Sequence, residues 1–107
     1  MKLFVTLFLI GITLHANIEN GKEVYAQNCA NCHSVSMEGG LGKDFNLVSY
    51  SRKREDVIRY VTAPSMTYRE FGYSANAMPK IPLAENDVDD VAEYIDSLQA
   101  FKVWMKK

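Results

Sequence analysis

Asn28-Cys29-Ala30-Asn31-Cys32-His33 decides how this chain is read. It is a single C-x-x-C-H, the spacing with which a c-type haem is attached. Cysteines three apart project from one side of a helical turn, so each thiol reaches one vinyl group of a haem, and the next residue offers an imidazole to the iron. Three plainer readings compete. A zinc half-site on the two cysteines needs two further Cys or His ligands, and apart from His33 the chain has one histidine, His15. A thioredoxin-type redox pair expects a βαβ context, whereas the pattern here is helical. A disulfide between Cys29 and Cys32 would close too small a loop to stabilise much.

Upstream of the motif, Met1 and Lys2 precede an apolar run from Leu3 to Leu14 that ends at His15-Ala16. One basic residue, a short apolar stretch and a small residue at the exit describe an export signal over residues 1–16, cut after Ala16. A spanning helix wants about 20 apolar residues, so the run is short for a permanent anchor. His15 leaves with it, which removes the last rival ligand for zinc. Residues 17–107 then form one domain, exported to the periplasm, with a short extension from about residue 99.

The whole chain is 107 residues with 48% apolar and 23% charged side chains, the composition of an ordinary globular domain. Its formal charge of -1 lacks the broad basic field that nucleic-acid binding needs, so no nucleic-acid partner is expected. Downstream, Val88, Val91, Ala92, Ile95 and Leu98 recur at helical spacing, with Glu85, Asp87, Asp89 and Asp90 crowding the first turns, where the helix dipole favours anions. Ser51 to Val61 reads as a second helix stopped by Pro64, burying Val57, Ile58 and Val61. Its Arg52, Lys53, Arg54 and Arg59 read as a solvated basic face, the opposite pole to the acidic last helix. Such a dipole predicts salt-dependent reaction with partners.

From Gly21 to about Leu98 the chain resembles a small class I c-type cytochrome. Gly21-Lys22-Glu23-Val24-Tyr25 is similar to the family's G-x-x-x-aromatic stretch ahead of the haem motif, and Val91-Ala92-Glu93-Tyr94-Ile95 to its last helix. The resemblance implies an all-α, cytochrome c-like fold of three to five helices around one covalently bound haem c. Cys29 and Cys32 would be its thioether attachments, His33 the proximal iron ligand, and Gly21 and Tyr25 would meet Tyr94.

Asn76-Ala77-Met78-Pro79 resembles the family's distal ligand loop, which makes Met78 the expected sixth ligand. A thioether is soft and neutral, and His/Met ligation raises the haem potential into the range of electron carriers. Met66 and Met37 are the rivals, and filling a core gap is the commoner work of a methionine. Met37 follows His33 too closely to cross to the other haem face. The family commonly reads Gly-Pro-Asn/Asp-Leu after the motif, where the proline carbonyl holds the proximal histidine; here Gly42-Lys43-Asp44-Phe45 puts a lysine in that place. Lys43 keeps a carbonyl for the same bond but lacks proline's fixed φ. The segment 67–77, with Tyr68, Phe71 and Tyr73, is expected to wrap the haem edge, and Arg52 has a sharper reading as the partner of a haem propionate.

The function implied is a monomeric, non-enzymatic carrier of single electrons. Its partners would be redox proteins such as a quinol-cytochrome c reductase and a terminal oxidase or a periplasmic dehydrogenase. Alternatives are a dedicated haem c subunit of a periplasmic oxidoreductase, or a haem protein with an open iron site for gas or peroxide. In the extension, three lysines and Trp104 suggest weak membrane contact, against a helix continuation that packs Phe101 or Trp104 on the core.

Overall fold

The computed structural model describes residues 17–105. The expected export signal at 1–16 lies outside them. Five helices follow in order, α1 (Ile18–Asn28), α2 (Phe45–Ser51), α3 (Arg54–Thr62), α4 (Pro64–Thr67) and α5 (Glu85–Ser97), then a single 3-10 turn at Val103–Met105. No strand occurs among the described residues.

The centre is the packing of α1 on α5, with α2 and α3 laid against α5 from other sides. The apolar stripe read from the sequence is the buried face of α5: Val88, Val91, Ala92 and Ile95 are all buried. Removing Val91 or Ile95 from water contributes on the order of 1.5–3 kcal/mol each. Val24 from α1, Phe45 from α2 and Val57 from α3 complete the cluster. The helices can cross closely because position 21 has no side chain. A Cβ on Gly21 would overlap the Asp90 carbonyl, and it would stand 2.8 Å from Cβ of Tyr94. Tyr25, one turn on, meets Tyr94 with ring centroids 5.7 Å apart, as the resemblance implied.

The acidic start of α5 does more than complement a dipole. Asp90 is buried and accepts from the backbone N–H of Asn17 at 2.8 Å and from Nδ2 of Asn20 at 2.8 Å, while Asp87 accepts from the same amide at 2.9 Å. These carboxylates therefore clamp the first turn of α1, whose N-cap is Asn17. Ala84 caps α5 without a side-chain hydrogen bond.

Two expectations about the middle of the chain are corrected. Ser51 and Arg52 do not belong to α3: Ser51 ends α2, Arg52 caps it in an extended conformation, and α3 starts at Arg54. Nor is the basic face simply solvated. Arg54 is half-buried and pairs with Glu93 at 3.0 Å and Asp89 at 3.6 Å, and Arg59 pairs with Glu70 at 2.5 Å. Because α3 packs on α5, basic and acidic groups that looked like opposite poles are spent partly on each other.

The extension is not a continuation of α5, and neither Phe101 nor Trp104 is buried. The residue that packs inward is Lys102, 5% exposed.

Candidate functional site

Cys29 is the C-cap of α1, and its N–H and that of Ala30 both bond the Tyr25 carbonyl. His33 N–H bonds back to the Cys29 carbonyl at 2.9 Å, so the motif closes as one more turn beyond the helix. That turn brings Cys29, Cys32 and His33 to one wall of a cavity of about 550 Å³. Val57, Tyr60, Phe71, Leu83, Val91 and Ile95 are among its other walls, and Met78, from the segment between α4 and α5, also lines it. Burial, then the neighbouring Cys32, pushes the Cys29 thiol up to about 11. A sulfur kept as a neutral thiol is a slow partner in disulfide exchange.

The His33 ring is fixed from three sides. Nδ1 lies 2.8 Å from the Lys43 carbonyl, the bond expected at the position where relatives carry proline. If that nitrogen bears the proton, the lone pair of Nε2 is left for a metal, the arrangement that orients ligating histidines generally. Phe45 stacks on the ring with centroids 4.5 Å apart and planes 19° off parallel. Gly42 closes on the ring as well, so tightly that a Cβ there would overlap the imidazole. Tyr25 adds a hydrogen bond from its hydroxyl to the His33 carbonyl at 2.7 Å.

Lys43 lacks proline's rigidity, and Asp44 supplies rigidity in another way. Its carboxylate is buried and accepts from Ser34 Oγ at 2.7 Å, Met37 N–H at 2.8 Å, and Asn46 N–H at 2.8 Å and Nδ2 at 3.0 Å. One side chain thus caps α2 and ties down the loop after His33, including Met37 at a φ of 63°. Burial opposes the charge, but the bonds from Ser34, Asn46 and Met37 outweigh it and hold the carboxyl below its ordinary value of 3.8. The stability it contributes is therefore complete above about pH 4 and lost as the pH falls through the lowered folded-state value. Asp44→Ala leaves a hydroxyl and three N–H groups without this acceptor and should cost about 2–4 kcal/mol, read from urea unfolding, with Asp44→Asn recovering part.

Among the methionines, Met66 is 85% exposed and Met37 60% exposed, and neither lines the cavity. Phe71 and Tyr73, from the segment expected to wrap the cofactor, do line it, each with its ring 5.5 Å from that of Tyr60. Arg52 also reaches the wall, donating to the Phe71 carbonyl at 2.7 Å with its guanidinium 4.9 Å above the Phe71 ring. Phe45, Asp44 and Gly42 are functional residues the motif reading missed. An Asp ahead of a Phe-x-x-Val spacing is a helix-start signal that locates two of them.

A flat, largely apolar group fits this cavity: its walls are mainly hydrocarbon, two thiols stand at one side, and an oriented imidazole faces in. Fold and cavity together define a small all-helical haem-binding domain. The chain belongs to the cytochrome c family, whose model matches residues 18–99. Members of that family bind one covalent haem c and transfer electrons rather than act as enzymes. The chain is 32% identical to "Cytochrome c6" of Thermostichus vulcanus over 97% of its length and 88% of that protein's. Against "Cytochrome c6" of Pyropia yezoensis it is 30% identical, covering 92% and 89%. It is also 28% identical to "Cbb3-type cytochrome c oxidase subunit CcoP" of Helicobacter pylori, over 73% of this chain but 26% of that subunit. No solved structure matches.

Proposed function

We propose that the protein is an exported, periplasmic carrier of single electrons, with haem attached through Cys29 and Cys32 and its iron held by His33 and Met78. The observation that carries this is the lining of one cavity by both sulfurs of the motif, an imidazole oriented by the Lys43 carbonyl, and one of three candidate methionines. When bound, the haem supplies a one-electron ferric/ferrous couple, which a thioether ligand tilts toward the reduced form. The chain would hold the iron through the His33 imidazole and the Met78 thioether and surround the group with a low-dielectric wall of aliphatic and aromatic side chains, which limits rearrangement between redox states. Docking to partners is expected to be small and transient, as in electron-transfer encounters generally.

A redox titration followed by visible spectra tests this. One reversible one-electron wave, with no carbon monoxide uptake by the reduced protein, is the expected result. Rapid carbon monoxide binding would instead favour the open-iron alternative. The partial likeness to an oxidase subunit supports a second reading, a dedicated haem subunit of a larger oxidoreductase. Near-full coverage of single-domain carriers favours the free form, and stable co-purification with a catalytic chain would reverse that preference.

A further inference from the structure

Beyond α5 the chain is folded inside out. Phe101, Val103, Trp104 and Met105 are exposed, Phe101 by 79%, while the lysine among them is buried. Nζ of Lys102 donates to the Ser49 carbonyl and Ser49 Oγ, both at 2.9 Å, and to the Asp96 carbonyl at 2.7 Å, with the Asp96 carboxylate 3.2 Å away. Ser49 is fully buried and also accepts from the Gln99 N–H at 3.1 Å. Every donor of the ammonium is used, so the segment is pinned between α2 and the end of α5 rather than fraying.

Partitioning alone would bury the phenyl or the indole and leave the ammonium in water. A reversal held by this many bonds sacrifices apolar burial to keep an apolar face outside. Exposed apolar faces of this kind mark surfaces with a partner.

Charge indicates which partner. Nζ of Lys53 stands 6.0 Å from the Trp104 ring, Lys106 and Lys107 follow in the sequence, and no acidic residue occurs from 97 to 107. On a chain of formal charge -1, Lys53 and Trp104 thus set a cation beside an exposed aromatic ring, with two further lysines next in the sequence. Four side chains are too few for the roughly 800 Å² per partner of a stable protein interface. They suit shallow insertion at a lipid surface, with tryptophan at the headgroup level and lysines among anionic phosphates.

We propose that the face made by Phe101, Trp104 and Met105, presented by the buried Lys102, docks reversibly on an anionic phospholipid surface. Such docking confines the carrier to the plane in which membrane-bound redox partners lie. No helix among the described residues is long and apolar enough to cross a membrane.

The test is co-sedimentation of the haem-loaded protein with phosphatidylcholine vesicles, with or without phosphatidylglycerol. The pellet is read by haem absorbance, and only the fraction released by high salt is counted. Binding should require phosphatidylglycerol and weaken about tenfold or more in the double variant Phe101→Ser, Trp104→Ser. Both positions are exposed, so the variant's melting temperature and redox potential should match the parent's. Absence of salt-released binding, or equal binding by the variant, overturns the proposal. So does a concentration-dependent dimer abolished by the same variant without lipid binding, which would make the face a contact between copies. A lipid-independent loss of rate with an acidic redox protein would assign the face to a protein partner and overturn it equally.

Discussion

Met78→Ala is expected to abolish the weak absorption near the red edge of the ferric spectrum that reports an iron–sulfur bond. The reduction potential should fall by about a few tenths of a volt, a part of the roughly 0.8 V over which axial ligands tune haem proteins. The sign follows from the ligand: a thioether favours ferrous iron, so its loss favours ferric. The reduced variant should also take up carbon monoxide, which the parent should not. Met66→Ala and Met37→Ala serve as internal controls, because both side chains stand outside the cavity and are largely exposed. A variant at Met78 that keeps the band and the potential removes it as the ligand. If Met66→Ala loses them instead, α4, which carries Met66, must rearrange on haem binding.

The second large effect is expected on folding. In the double variant Cys29→Ser, Cys32→Ser the covalent hold is gone, and the haem-free chain should lose most of its helical circular dichroism. The reason is one of magnitude. A cavity of about 550 Å³ left unfilled would cost ~13 kcal/mol at the rate found for empty core cavities. Part of the wall opens to solvent, which reduces that figure, yet even half of it rivals the 5–15 kcal/mol that a small domain has in total. With the expected leader removed, 91 residues remain, and among the described residues the central apolar cluster consists of six buried side chains. That is a thin core for independent stability, and small domains commonly need a cofactor or a cross-link in its place. A haem-free double variant with full helical signal and a cooperative melt would show that the protein walls stand without their contents.

How much was legible in the sequence depends on how local each interaction is. The C-x-x-C-H turn needs only five neighbouring residues, and the stripe of α5 shows through its own periodicity. The bond on His33 was legible too, despite the lysine at 43, because its acceptor is a backbone carbonyl that any residue carries. What holds that carbonyl was not. Asp44 gathers donors from Ser34, Met37 and Asn46, a hub that no single spacing announces. The helix α2 went unread for a similar reason. Phe45–Ser51 is seven residues long, rich in poor helix formers, and it forms on its Asp44 cap and its packing against α5.

Charged residues misled most. Arg54 belongs by composition to a solvated face, and Lys102 by type belongs outside, because a lone charge is costly to bury. Both defaults fail once acceptors from distant parts of the chain converge: Glu93 and Asp89 on Arg54, Ser49 and Asp96 on Lys102. The sequence by itself therefore determined the family, the covalent haem motif and the two helices whose apolar faces repeat. Only the tertiary structure decided which methionine lines the cavity, what fixes the His33 ring, and which side of the C-terminal segment faces water. Periodicity and motif spacing report interactions between near neighbours, whereas these outcomes depend on groups brought together from separate helices and loops.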